Sequence, residues 1–256
     1  MANEYICITQ GSAGALEEGE SSIGFYTEKV QTCRVSVFEC EKATLMVHDS
    51  GQIRIQDLSD FITSYGEVMS VQYAVGEETK EPLHSTRFKD LAKSVKFRAA
   101  DATHIRIPRR IFAVAYSKDI GLVEANPLHF NLRRDLNETV CEAVNVLNDW
   151  YTPSQTIPLN VQFKEGKFTP PPSPTLTVSQ MLRDLRADKK HGLLGASALG
   201  YYGPRASLEI PPELLTFLRK FDLSNACFDG LPPRLKERGS AYQQSAAEFA
   251  KLPIFG

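Results

Sequence analysis

Cysteine is scarce and poorly placed for structural work. There are five, Cys7, Cys33, Cys40, Cys141 and Cys227, an odd and widely spread set with no Cys-x-x-Cys pair. That pattern argues against a disulfide framework and against structural zinc, and it points to a reducing compartment, the cytoplasm. No run of about 18 apolar residues occurs, so no membrane-spanning helix is expected. Met1 to Gln10 lacks the basic start and long apolar stretch of a signal peptide. Neither sign of charge dominates: 29 Lys and Arg against 31 Asp and Glu give a net charge of −2. Such a surface lacks the positive field of a non-specific nucleic-acid binder, and the short basic run Arg106, Arg109, Arg110 reads as a solvated face. The P-loop, the dinucleotide fingerprint, Gly-x-Ser-x-Gly, His-Glu-x-x-His and the EF-hand loop are all missing. The glycine-rich stretch 192–203 lacks the strand–turn–helix context and the lysine of a phosphate loop. His84, His104, His129 and His191 are scattered and read as surface or packing residues. No cofactor and no metal is therefore expected.

The chain does have the means to build a core. Of its 256 residues, 42% are apolar and 23% are charged, the balance of a globular chain with one large or two small domains. Strands are expected at 3–8, 21–27, 31–38, 43–48 and 68–75, with a loop marked by Gly11, Gly14 and Gly19 after the first. In 31–38 the alternation is sharp: Cys33, Val35 and Val37 fall on one face, and Thr32, Arg34, Ser36 and Phe38 on the other. Leu58, Phe61, Ile62 and Tyr65 define a helix over 56–65 closed by Gly66. Phe88, Leu91, Ala92 and Val95 define a second over 85–96. Strands follow at 104–107, 110–116 and 120–125, the last two forming a hairpin about Ser117-Lys118-Asp119. A third helix at 135–149 carries the stripe Leu136, Val140, Ala143, Val144, Leu147. Six prolines between 152 and 174 exclude a central strand and mark a boundary or a rigid surface segment. Helices are then expected at 178–189, 212–220 and 239–251, with a turn at Pro232-Pro233. The fold class is α/β: a layered sandwich with a mainly antiparallel sheet and helices, plus a helical C-terminal extension. The core spans 1–151, and 152–256 is the proline-rich segment and extension.

One pair of residues carries chemistry. Cys33 opens one strand, and His48 ends the next, fifteen residues on. Antiparallel pairing about a turn near Cys40–Ala43 makes them spatial neighbours, and facing residues of such a pair stand roughly 5 Å apart at Cβ. An imidazole beside a thiol can take its proton and leave the stronger nucleophile. Thr27 and Thr32 add hydroxyls, and the 11–24 segment could add backbone N–H groups for an oxyanion. Asp49 is expected to shape the turn or to orient the histidine, turn formation being favoured. Core packing of Cys33 and simple strand termination at His48 is the competing account.

The segment 31–51, QTCRVSVFECEKATLMVHDSG, resembles the protein N-terminal asparagine amidohydrolase family, which has Thr-Cys opening one strand and His plus an acidic residue ending the next. It is also similar to the bacterial chemoreceptor glutamine deamidases, and a wider fold group includes the deamidating domains of cytotoxic necrotizing factors. Chemoreceptor deamidases carry a catalytic Thr six residues before the Cys, the offset of Thr27 here. The stretch 110–127 looks like the amidohydrolase hairpin. The resemblance covers roughly 20–130. His48-Asp49-Ser50 stands where the asparagine enzyme has His-Cys-Asp, and Gln31-Thr32 where the chemoreceptor enzymes have Gly-Ser. It implies an α/β sandwich with Cys33 as nucleophile, His48 as base, and Thr27 and Thr32 in support. The implied substrate is a protein or peptide with an exposed Asn or Gln, with no nucleic-acid or membrane partner. The alternatives are a Cys–His peptidase or transglutaminase-like enzyme, and a non-enzymatic interaction module recruiting through 152–174, for which Cys33 would be buried and unreactive.

Overall fold

The computed structural model describes residues 4–77, 81–151, 156–175, 177–187, 199–212 and 214. The expected elements at 212–220, 232–233 and 239–251, most of 192–203, and residues His191 and Cys227 lie outside the described residues, wholly or nearly so.

Among the described residues the named strands and helices run in the order β1 (Glu4–Cys7), β2 (Ser12–Glu17), β3 (Ser22–Val30), β4 (Arg34–Cys40), β5 (Ala43–Asp49), α1 (Ile55–Thr63), β6 (Val68–Gly76), α2 (Glu81–Ser94), β7 (Thr103–Ile107), β8 (Phe112–Ser117), β9 (Gly121–Glu124), β10 (Asn131–Arg133), α3 (Glu138–Tyr151), β11 (Asn160–Lys164), β12 (Lys167–Phe168) and α4 (Val178–Ala187). They form the expected α/β layered sandwich, with two mixed sheets. One has strand order β10-β1-β3-β8-β9, the other β12-β11-β2-β5-β4-β6-β7.

The alternation read in 31–38 is the packing of β4. Cys33, Val35 and Val37 join Met46 of β5 and Ile6, Phe25, Val114 and Tyr116 of the five-stranded sheet in the core between the sheets. Phe38 points the other way and packs with Leu45 and Val47 against Leu58 and Ile62 of α1 and Phe88 and Leu91 of α2. β5 is therefore covered on both faces, and every residue of Ala43–Asp49 is buried. The α1 stripe is as expected. Gly66 follows at φ +94°, the left-handed conformation that suits glycine after a helix end.

Four strands stand where none is expected, β2, β10, β11 and β12. Ser12–Glu17 is a fully paired strand, parallel to β11 and antiparallel to β5. Its small residues make room. A Cβ on Gly14 would lie 2.7 Å from Ile8 Cδ1 and 2.8 Å from Phe25 Cε1, so the bulk that usually marks a strand comes from its neighbours. Within the proline-rich segment, Asn160–Lys164 lies clear of Pro158 and Pro170 and enters the seven-stranded sheet beside β2. No proline interrupts the strand itself. In α3 the stripe begins later than expected: Leu136 precedes the helix and is fully exposed, while Cys141, Ala143 and Val144 are buried.

The chain divides into two compact units, Met1–Asn145 with Ser154–Pro172, and Val146–Pro153 with Ser173–Gly256. The hairpin of β11 and β12 thus belongs with the sheets, which differs from the expected division at 151/152. In the second unit α4 opens with a capping box. The Thr177 N–H donates to Gln180 Oε1 at 2.7 Å, and the Gln180 N–H donates to Thr177 Oγ1 at 3.3 Å. Met181 and Leu182 form its buried side. Among the described residues no helix is long and apolar enough to cross a membrane.

Candidate active site

The hairpin of β4 and β5 sets the site. Its register pairs Arg34 with Asp49 and Val35 with His48. Val35, not Cys33, therefore stands directly across from His48. Cys33 precedes β4 by one residue and packs with Val35 in the core between the sheets, the face to which the register assigns His48. On the other side of β5, the pairing of Ala13 with Val47 and the Gly11 N–H bond to the His48 carbonyl at 2.9 Å bring Ser12 beside His48.

His48 is fully buried, and burial pushes its pKa down to about 4 while the nearby Asp49 charge pulls weakly the other way. The ring is therefore a neutral imidazole at physiological pH. Its tautomer follows from Thr27, also fully buried. Thr27 Oγ1 lies 2.6 Å from the Ile8 carbonyl oxygen and 2.7 Å from His48 Nδ1. A carbonyl only accepts, so the single hydroxyl hydrogen goes to Ile8 and Nδ1 must carry a proton and donate it to Thr27. Nε2 is left as the lone-pair nitrogen, buried and without a hydrogen-bond partner. A base held in one tautomer and one orientation is the outcome.

The other expected site residues are sorted by this geometry. Cys33 is buried, 3% exposed, and packs in the core between the sheets. Thr27 orients the histidine. Its only hydrogen is spent on Ile8, which removes it from the role of oxyanion donor. Thr32 lies in the bend before β4 and is partly exposed. In the 11–24 segment the Ser12 N–H donates to the Thr9 carbonyl at 3.3 Å, while Ser12–Gly14 pair with β11 and Ala13–Glu17 with β5. Asp49 points to the opposite face. It accepts from Arg87 Nε at 2.7 Å and Nη2 at 3.2 Å, and from the Gly51 N–H at 2.9 Å. It shapes the turn after β5, as favoured, and does not touch the His48 ring.

A pocket on that opposite, helix-facing side is lined by Arg34, Ser36, Asp49, Arg87 and Phe88. The buried Arg34 guanidinium stacks 4.7 Å from the Tyr73 ring and 4.8 Å from the Phe88 ring. The sheet separates this pocket from the side chains of Cys33 and His48, so it is not their site. Among the described residues, no three His, Cys, Asp or Glu side chains gather to hold a metal ion.

The residues that sequence reasoning missed are Ser12, Thr9, Gln162, Asn145 and Asn160, a buried polar group beside His48. Ser12 sits on a strand hidden by its small residues, Gln162 and Asn160 on a strand hidden among prolines, Asn145 on the buried side of α3, and Thr9 in the connection between β1 and β2. No protein-family model matches the chain, and no curated protein matches it significantly.

Proposed function

We propose that the chain is a thiol-dependent hydrolase of side-chain amides in proteins, acting on an exposed Asn or Gln, internal or N-terminal. The observation that carries this reading is His48: a buried neutral imidazole with Nδ1–H given to Thr27 and an unpartnered Nε2, on the face and at the strand end of Cys33. Nε2 takes the Cys33 proton as Sγ attacks the carboxamide carbon, and the imidazolium then protonates the departing ammonia. Water, deprotonated by Nε2, attacks the thioester carbonyl and releases the acid and the thiol. Thr32 and the backbone of its bend supply the oxyanion contacts. The scattered thiols fit a cytoplasmic setting.

The test is ammonia release from peptides bearing Asn or Gln, internal or N-terminal. Cys33→Ala and Cys33→Ser abolish it while far-UV circular dichroism stays unchanged. Activity retained in both variants refutes the assignment. A rise of about 1 Da in an intact peptide separates deamidation from peptide-bond cleavage.

A second reading has its own observation. The burial of Cys33 is what an interaction module would show. Iodoacetamide labelling with peptide mapping separates the two. Selective, fast labelling of Cys33 supports the hydrolase, and labelling no faster than that of Cys7, Cys40 and Cys141 supports the module.

A further inference from the structure

The hydrogen bond that fixes His48 does not end at Ile8. Thr27 donates to the Ile8 carbonyl at 2.6 Å, and the N–H of the same peptide group, that of Thr9, donates to Gln162 Oε1 at 2.9 Å. All the donors point one way, from His48 Nδ1 through Thr27 and the Ile8–Thr9 peptide to the Gln162 carbonyl. In a chain of this kind each bond polarises the next. The orientation of the Gln162 amide is settled, because a peptide N–H can only donate and the atom facing it must be oxygen.

A second arm reaches the same oxygen. Asn145 Nδ2 and Asn160 Nδ2 donate to Ser12 Oγ at 2.9 Å and 3.0 Å. With its acceptor sites so occupied, Ser12 gives its hydrogen to Thr9 Oγ1 at 3.1 Å, and Thr9 Oγ1 gives its own to Gln162 Oε1 at 3.1 Å. Gln162 is fully buried, as are Thr27 and His48. Its Nε2 has no hydrogen-bond partner, so its carbonyl is the end of both arms.

We propose that Gln162 is a positioning residue for His48, acting through the Ile8–Thr9 peptide group and Thr27. The inference rests on the reading of His48 as the base that serves Cys33. The reason is the ambivalence of a threonine hydroxyl, which can donate or accept. Only the Ile8 carbonyl, aimed at Thr27, forces it to accept from the ring. Gln162 pins the other end of that peptide plane. With the pin removed, the peptide can rotate, Thr27 is released to donate to Nδ1, and the ring proton moves to Nε2. The base is then blocked on the side that faces its work.

The test uses the full chain with nitrogen-15-labelled histidine. In the wild-type chain, long-range NMR correlations identify His48 as the Nδ1–H tautomer; an Nε2–H tautomer overturns the proposal without any variant. Gln162→Met removes the acceptor at nearly constant length. It moves the proton toward Nε2 and slows alkylation of Cys33 by iodoacetamide on the order of tenfold, the scale carried by outer-shell partners of a working histidine. Gln162→Glu keeps a carbonyl oxygen in place, restores the tautomer and the labelling rate, and shifts the His48 Nδ1 proton resonance. An unchanged tautomer and rate in Gln162→Met overturns the proposal. Should that variant fail to fold, an unmoved Nδ1 resonance in Gln162→Glu overturns it equally. If the tautomer answers to Gln162 while wild-type Cys33 labels no faster than the other cysteines, the positioning role stands and the hydrolase reading falls.

Discussion

A histidine kept neutral inside the fold makes the fold acid-sensitive, and the size of the effect can be worked out. In the unfolded chain His48 takes a proton near its ordinary pKa of 6.5, and in the folded chain burial holds that off until about 4. Between those values the unfolded state binds more protons than the folded one, so stability falls as pH falls. Above about 6.5 both states are neutral at this position, and below about 4 both are charged, so the contribution is flat outside the window. A window of about 2.5 pH units at about 1.4 kcal/mol each amounts to roughly 3.5 kcal/mol in full, of which roughly 3 kcal/mol is lost by pH 4. The assay is urea unfolding at pH 7, 6, 5 and 4 for the wild-type chain and His48→Gln. Carboxylates titrate in both and cancel in the difference, which isolates the histidine. The wild-type chain should lose roughly 3 kcal/mol more than the variant on going from pH 7 to 4, nearly all of it below about pH 6.5. Parallel curves would show that His48 is not buried neutral, and the tautomer argument built on Thr27 would go with it.

Two further outcomes test the frame around the site. Asp49→Ala leaves the Arg87 guanidinium without its carboxylate in a place where both side chains are only about a tenth exposed, at 10% and 11%; the expected loss by urea unfolding is about 3 kcal/mol, and a loss below about 1 kcal/mol would demote the pair to a surface interaction. Gly24→Ala sets a Cβ 2.0 Å from the Tyr116 carbonyl oxygen, a backbone atom of the paired strand that cannot turn aside; it should cost about 3 kcal/mol or more, or prevent folding, and a thermal midpoint within a few degrees of wild type would contradict that close approach of β3 and β8.

What the sequence made legible was what side-chain size and period announce. Cys33, Val35 and Val37 alternate with Arg34, Ser36 and Phe38, and that period fixed both the strand and the face. The turn before Ala43 followed from it, and with it the shared end of Cys33 and His48. The exact register did not. A shift of two residues decides whether Cys33 or Val35 faces His48, and a strand boundary drawn at 31 instead of 34 hides that shift. Ser12–Glu17 was illegible because Gly14 and its small neighbours give way to Ile8 and Phe25, so the apolar signal belongs to other strands. Asn160–Lys164 was illegible because the prolines around it speak louder than five residues between them. Thr27 was found by its offset from Cys33, but its role was not, since only the Ile8 carbonyl decides which way its hydrogen points.

The balance between enzyme and interaction module turns on energy spent in the core. Burying an imidazole acceptor without a partner costs about 1–3 kcal/mol, and a leucine or phenylalanine at 48 would avoid that cost. The same core also buries Gln162 with its Nε2 unmet. A histidine held in one tautomer from elements distant in sequence is what the proposed hydrolase requires of its base. Such expenditure is expected where a fold keeps a group ready to accept a proton. The burial of Cys33 does not undo this. It stands one residue before β4 begins, outside the ladder that locks its neighbours. The hydrolase reading requires that a carboxamide reach this thiol, and alkylation of Cys33 measures that access.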